Sequence, residues 1–291
     1  MLGYKYRPIN KYSLDILESN NVYFSKYTDF NDPFEFCTPF PNLGKMYQRA
    51  ADEIDKLHKS KIFSMENHAY LIEICKKIST EGSKNLDKTH SIIRENLEKV
   101  GIYSLSEVND EILMWSHYAD NHRGFCIGFK DLHKNTTPNT KPLPINYKST
   151  FTDLSDPELI VQYFKSMFYD YVNLSEKKWQ EKKDKLSKIT KNKDDQRCGI
   201  SILTDKYEKW AYEREFRLID EKNYGLRKIN PECINSITFG LRTSQEDINK
   251  IITTCIDSQK SNIDYFKIEK SKNSFKLLLT PYQPPNLPPT I

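Results

Sequence analysis

The stretch GFCIGF, residues 124–129, is apolar on both faces of a β-strand, and a strand of that kind belongs in the centre of a sheet. Short aromatic and β-branched runs elsewhere supply its neighbours. YKYRPI (4–9), NVYFSK (21–26), GIYSLSE (101–107), YEREFRLID (212–220) and INSITFG (234–240) read as strands, and IDYFKIEKSKNSFKLLLT (263–280) as a hairpin turning near Lys272 and Asn273. YSLDILES joins the first two strands as a helical turn, and the Asn-Asp-Pro of FNDPFEF ends that first strand pair near Phe30, because the residue before proline is pushed out of helical geometry.

Helical spacing dominates from about 45 to 99, in YLIEICKKI and THSIIRENLEKV, with polar breaks around Ser60–Met65 and Glu81–Asp87. NDEILMWSHYAD reads as a helix capped by Asn109 or Asp110, with Gly124 past its end. A second helical insertion spans about 155–193, and its later part, SEKKWQEKKDKLSKITKNKDD, is almost wholly polar. ISILTDKYEKW and SQEDINKIITTCID read as helices, the latter capped by Ser244. Together these predict an α+β fold: a mixed, largely antiparallel sheet of about six or seven strands with two helical insertions. The whole reads as a single domain over 1–280, followed by a proline-rich extended tail at 281–291.

Low hydrophobic content (37%) and high charge (29%) alone would fit a disordered chain, but 12% aromatic residues argue for a packed globular one. A formal charge of only +4 gives no indication of a nucleic-acid partner. The six cysteines are scattered without a CxxC pair or a Cys/His cluster, which predicts a reducing cytoplasm and no metal. Nowhere do apolar residues run long enough for a membrane span, and there is neither a Walker-type nor a Rossmann glycine pattern.

The residues able to carry chemistry are few. Arg7 offers a forked guanidinium suited to phosphate or carboxylate, or else a structural ion pair. Ser104 and Ser106 point to one face of their strand, as a pair of site hydroxyls or as an exposed edge. Trp115 and Tyr118 are i, i+3 neighbours on a helix and could wall a site, with His117 offset from both as a base or a packed residue. In AYEREFRLI, Glu213, Glu215 and Arg217 occupy every second position, so a strand would align all three on one face as a polar cleft; a helix would make Glu213 and Arg217 an i, i+4 pair.

The segments LGYKYRPIN, VYFSKYTDFNDPFE, IYSLSEVNDEILMWSHYADNHRGFCIGF and KWAYEREFRLI, in that order, resemble the bacterial domain-of-unknown-function 2971 family. The order Arg7, Ser104-x-Ser106, Glu213-x-Glu215 is also similar to the Arg, Ser, Glu pattern of ADP-ribosyltransferases, although the middle motif is Ser-Leu-Ser and not Ser-Thr-Ser. That resemblance implies NAD as substrate, with Arg7 on a phosphate, Ser104 and Ser106 supporting the site, Tyr118 stacking on nicotinamide, Glu215 steadying the ribose and Glu213 orienting or deprotonating the acceptor. The implied function is an NAD-consuming transferase or glycohydrolase, a bacterial effector in a toxin or phage-defence setting, with an acceptor of unknown identity. The alternatives are a metal-independent nuclease or phosphodiester-handling enzyme using His117, Arg7, Glu215 and Arg217, and a non-catalytic module sensing a small-molecule nucleotide.

Overall fold

A computed structural model describes residues 1–60, 65–136, 140–158, 160–162, 164, 200–260 and 262–284. Most of the helical stretch expected over 155–193, and the tail from 285 onward, lie outside these residues. The chain divides into two compact units, one of residues 1–33, 98–149 and 206–291, the other of 34–97 and 150–205.

The first unit is built on an eight-stranded sheet. Its strands are β1 (Leu2–Arg7), β3 (Gly101–Ser106), β4 (Phe125–Lys130), β5 (Lys141–Pro144), β8 (Glu215–Asp220), β10 (Ile234–Phe239), β11 (Asp264–Lys270) and β12 (Leu277–Pro281), in the spatial order β12-β11-β10-β4-β1-β3-β8-β5. All neighbours are antiparallel except β10 and β11, which run parallel because helix α6 (Gln245–Asp257) carries the chain across between them. The fold is therefore the mixed, largely antiparallel α+β arrangement the patterning predicts, with one strand more. The extra strand is the edge strand β5, hidden in sequence because Pro142 and Pro144 remove backbone donors and only an edge tolerates them.

Strand β4 explains GFCIGF. Alternation sends Phe125, Ile127 and Phe129 to one face, where they pack with Leu14, Ile16 and Leu17 of α1 (Lys11–Ser19), with Ile248, Ile251 and Ile252 of α6, and with Phe24 of β2 (Asn21–Phe24). Cys126 faces the other way, into a cluster with Tyr6, Trp115 and Ile268. Gly128 lies on that second face too, where a Cβ would fall 2.2 Å from the Ser236 hydroxyl and 3.2 Å from the Tyr4 ring.

Three local expectations are corrected. β1 and β2 do not pair with each other, because β1 is flanked by β3 and β4; β2 instead pairs with β9 (Gly225–Lys228). Helix α5 (Ile112–Tyr118) is capped by Glu111, whose side chain accepts from Leu113 N, while the carbonyl of Asn109 is taken by the Trp115 indole at 2.8 Å. The helix expected over 200–210 runs only through residue 204. It gives way to β7 (Asp205–Tyr207), which pairs with β6 (Asn146–Lys148), and to a 3-10 turn over Glu208–Glu213.

After α5 the backbone turns through three consecutive left-handed residues, Asp120 (φ 47), Asn121 (φ 53) and His122 (φ 71). Asn, Asp and His enter that region more readily than other residues with a side chain, but three in succession still cost energy. Tertiary bonds hold the turn: His122 N donates to Trp115 O at 3.1 Å, and Arg242 N donates to His122 O at 2.9 Å. Gly124 follows because a Cβ there would lie 2.1 Å from Arg7 O. Asp120→Gly is expected to stabilise the protein by about 1 kcal/mol, read by urea unfolding; unchanged or lower stability would mean that the Asp120 side chain itself contributes.

In the second unit, α2 (Leu43–Lys59), α3 (Met65–Lys84) and α4 (Leu86–Leu97) follow the helical spacing of the sequence. Ala50, Ile54, Leu71 and Cys75 form its core together with Ile160, Val161 and Phe164. α2 and α3 approach closely at Gly44 and Gly82, where a Cβ on Gly82 would lie 2.9 Å from Gly44 N.

Candidate functional site

The charged triplet of AYEREFRLI is brought together by a turn and a strand. Glu213 closes the 3-10 turn, Arg214 reverses the chain in a left-handed conformation (φ 43), and Glu215 begins β8. This places both carboxylates on one ammonium: Lys206 Nζ, from β7, donates to Glu213 Oε2 and, at 2.8 Å, to Glu215 Oε2. Arg217 Nε donates to Glu215 Oε1 at 2.7 Å, and the Phe30 ring lies 5.1 Å from the guanidinium carbon. Tyr118 Oη donates to Glu213 Oε1 at 2.6 Å. Ser106 Oγ donates to the Glu213 carbonyl at 2.7 Å, and Glu215 N donates to Tyr147 Oη at 2.8 Å.

All four charges are buried, Arg217 completely and Glu213, Glu215 and Lys206 at 3%, 7% and 8% exposure. Burial raises every carboxyl, but here the two diverge. At Glu215 the burial effect is overcome by Arg217 and Lys206, which hold the carboxyl well below the usual range. At Glu213 burial wins, helped by the Glu215 charge and only partly offset by Lys206, so its carboxyl is raised. Two carboxyls of one residue type, two positions apart, are thus tuned in opposite directions.

Above this network lies a group of rings. The exposed His117 has its ring centroid 6.2 Å from Tyr118, 6.4 Å from Trp210 and 6.3 Å from Tyr212, all three half-buried, and Lys206 Nζ lies 5.3 Å from the Trp210 centroid.

Of the residues singled out in sequence, Glu213, Glu215, Arg217, Ser106 and Tyr118 come together, and His117 joins them through its ring contacts. Ser104 joins them only as the cross-strand neighbour of Arg217, and Trp115 and Arg7 do not. Trp115 is fully buried and packs edge-on against Tyr6 at 5.1 Å, so it is core, not a site wall; of the i, i+3 pair that suggested a wall, Tyr118 alone reaches the carboxylates. Ser104 is opposite Arg217 in the β3–β8 ladder, but its Oγ is buried without a hydrogen-bond partner. Arg7 pairs with Phe125 across β1–β4, and alternation along β1 puts it on the Lys5 side of the sheet, opposite to Tyr6. Ser106, aligned with Tyr4, and Glu215, aligned with Ser106, belong to the Tyr6 side. The expected convergence of Arg7 with the serines and glutamates on one cleft is therefore corrected by the parity of the strand.

Lys206 and Tyr147 are the functional side chains that sequence reasoning missed. A lysine inside an apparent helix, among 44 basic residues, carries no signal of burial. Among the described residues no group of three His, Cys, Asp or Glu side chains is arranged to hold a metal ion, and no helix is long and apolar enough to cross a membrane.

The family model described as Protein of unknown function (DUF2971) matches residues 114–218, a segment that contains Tyr118, Lys206, Glu213, Glu215 and Arg217. No curated protein and no solved structure matches the chain.

Proposed function

Taking as premise that residues 114–218 belong to this DUF2971 family, we propose that the protein is an NAD-consuming enzyme of ADP-ribosyltransferase or NAD glycohydrolase type, acting from the Glu213–Glu215 pair. The observation that carries the reading is the opposed tuning of two carboxyls on one lysine, the pattern by which neighbouring carboxyls divide stabilising and proton-transfer roles. When the bond from ribose to nicotinamide breaks, its electron pair leaves with the nicotinamide and positive charge develops on the ribose. An ionised Glu215 stabilises that charge. Glu213, whose burial raises its carboxyl and makes it the stronger base of the pair, takes in its ionised form the proton of the attacking hydroxyl or water. Tyr118, Trp210 and Tyr212 supply flat surfaces for a base or nicotinamide ring. Arg7 has no part in this scheme.

A second reading has its own observation. Lys206 meets both carboxylates and Arg217 meets Glu215, so the two cations find partners inside the protein, as in a nucleotide-sensing module that does not turn its ligand over. Incubation of the purified protein with NAD, with chromatography of free nicotinamide, separates the two. Release above the protein-free rate is expected. No release, together with nucleotide binding by calorimetry, would favour the sensor.

A further inference from the structure

β1 and β3 pair at one position, Tyr4 opposite Ser106, although β1 continues to Arg7 along β4 and β3 continues to Gly101 along β8. Further along β3, Ile102 exchanges both backbone hydrogen bonds with Ser25 instead. Between these points two central strands separate, and the Ser104 carbonyl takes the Lys5 ammonium at 2.8 Å.

The gap holds donors that are poorly served. Arg7 Nε is buried without a hydrogen-bond partner, and the hydroxyl of Tyr103, a residue only 1% exposed, is met by the Arg7 side chain and by no other side chain among the described residues. Lys5 Nζ lies 4.8 Å from the centroid of the Tyr103 ring. Among the described residues no carboxylate pairs with Lys5 or Arg7. Burial and the neighbouring Arg7 charge bring the Lys5 amine down to about 7, with Glu215 and Glu213 attracting it and Lys206 repelling it from further off. Like charges held side by side at reduced dielectric are costly unless something neutralises them.

We propose that the gap between β1 and β3 is an anion site, in which Lys5, the Arg7 guanidinium and the Tyr103 hydroxyl hold a phosphate group carried by a small molecule or free in solution. A tetrahedral dianion matches two cations in charge and offers oxygens enough for the forked guanidinium, the ammonium and the phenol together. A carboxylate brings one charge and two oxygens, and leaves the set half satisfied. The site stands independently of any chemistry at Glu213 and Glu215, since its binding is read without turnover.

Sulfate is the probe of choice because its charge stays fixed across neutral pH, with pyrophosphate as the phosphate-bearing arm and chloride and acetate at equal ionic strength as controls. Saturable thermal stabilisation of the full chain by sulfate and pyrophosphate, and not by the controls, is expected. Arg7→Gln should weaken the apparent affinity by about tenfold or more and Tyr103→Phe, which keeps the ring stacked on Phe24, by about fivefold. Sulfate affinity should also fall from about pH 6 to about pH 8.5 as Lys5 gives up its proton, the groups facing it being Arg7, Tyr103, Glu215, Glu213 and Lys206. Equal stabilisation by sulfate and chloride, or binding by Tyr103→Phe indistinguishable from wild type, would overturn the proposal. So would acetate binding as well as sulfate.

Discussion

Glu215→Gln is expected to destabilise the protein by about 3–5 kcal/mol, because it leaves Arg217, which has no exposed surface, and Lys206 without the carboxylate that lies between them. Glutamine keeps the shape, so the loss isolates charge from packing. The pH dependence has a definite sign. Glu215 is depressed in the folded state, so its stabilising contribution is present above the ordinary glutamate value and lost only as pH falls through its own lower value. Glu213 is raised, so its contribution is fully present below the ordinary value and declines as pH rises through its folded value. Glu213→Gln should accordingly cost clearly less than Glu215→Gln at neutral pH. Urea unfolding of both variants tests the order, and equal costs would mean that the two carboxyls are not differently tuned.

Nicotinamide release should fall by about 10²–10⁴-fold in Glu213→Gln, the usual span for removing a general base. A glutamine occupies the same space but cannot take the proton; its amide oxygen can accept from Lys206 while its NH2 donates to the Tyr118 hydroxyl, so the fold should persist. In the wild type, activity should decline as pH falls through the raised Glu213 value, since the base must be ionised to act. Tyr118→Phe provides a graded version. Its hydroxyl donates to the charged carboxylate, so removing it raises Glu213 further and moves the acid limb of the rate profile to higher pH. Wild-type turnover by a folded Glu213→Gln variant would remove Glu213 from the mechanism.

The strands nearest the core were the most legible. GFCIGF announced a strand covered on both faces, and β4 lies among the inner strands with Phe125, Ile127 and Phe129 against one layer and Cys126 against the other. The site was legible only in part. Period-two spacing brought out Glu213, Glu215 and Arg217, yet Glu213 belongs to a turn, and what unites the two carboxylates is a left-handed Arg214 that no spacing rule foretells. Lys206 was invisible because ISILTDKYEKW has the apolar spacing of a helix; pairing with β6 overrides that local preference. Arg7 was misjudged for another reason. A residue's own strand shows that it alternates, but the face it takes depends on partners about a hundred residues away.

Strand β1 also bears on how the molecule is assembled. It joins β12-β11-β10-β4 to β3-β8-β5, and every rung it makes spans a long loop. Such contacts repay their closure entropy late, so the joining of the two half-sheets is expected to be the slow step of folding. Until it happens, β4 and β3 each present a bare inner edge. β4 is the more hazardous of the two, an apolar ribbon with nothing charged before Lys130 to discourage another chain from pairing with it. Self-association through β4 is therefore a hazard of maturation that ends once β1 is in place, and a chaperone that shields FCIGF would protect the yield without ever touching the finished site.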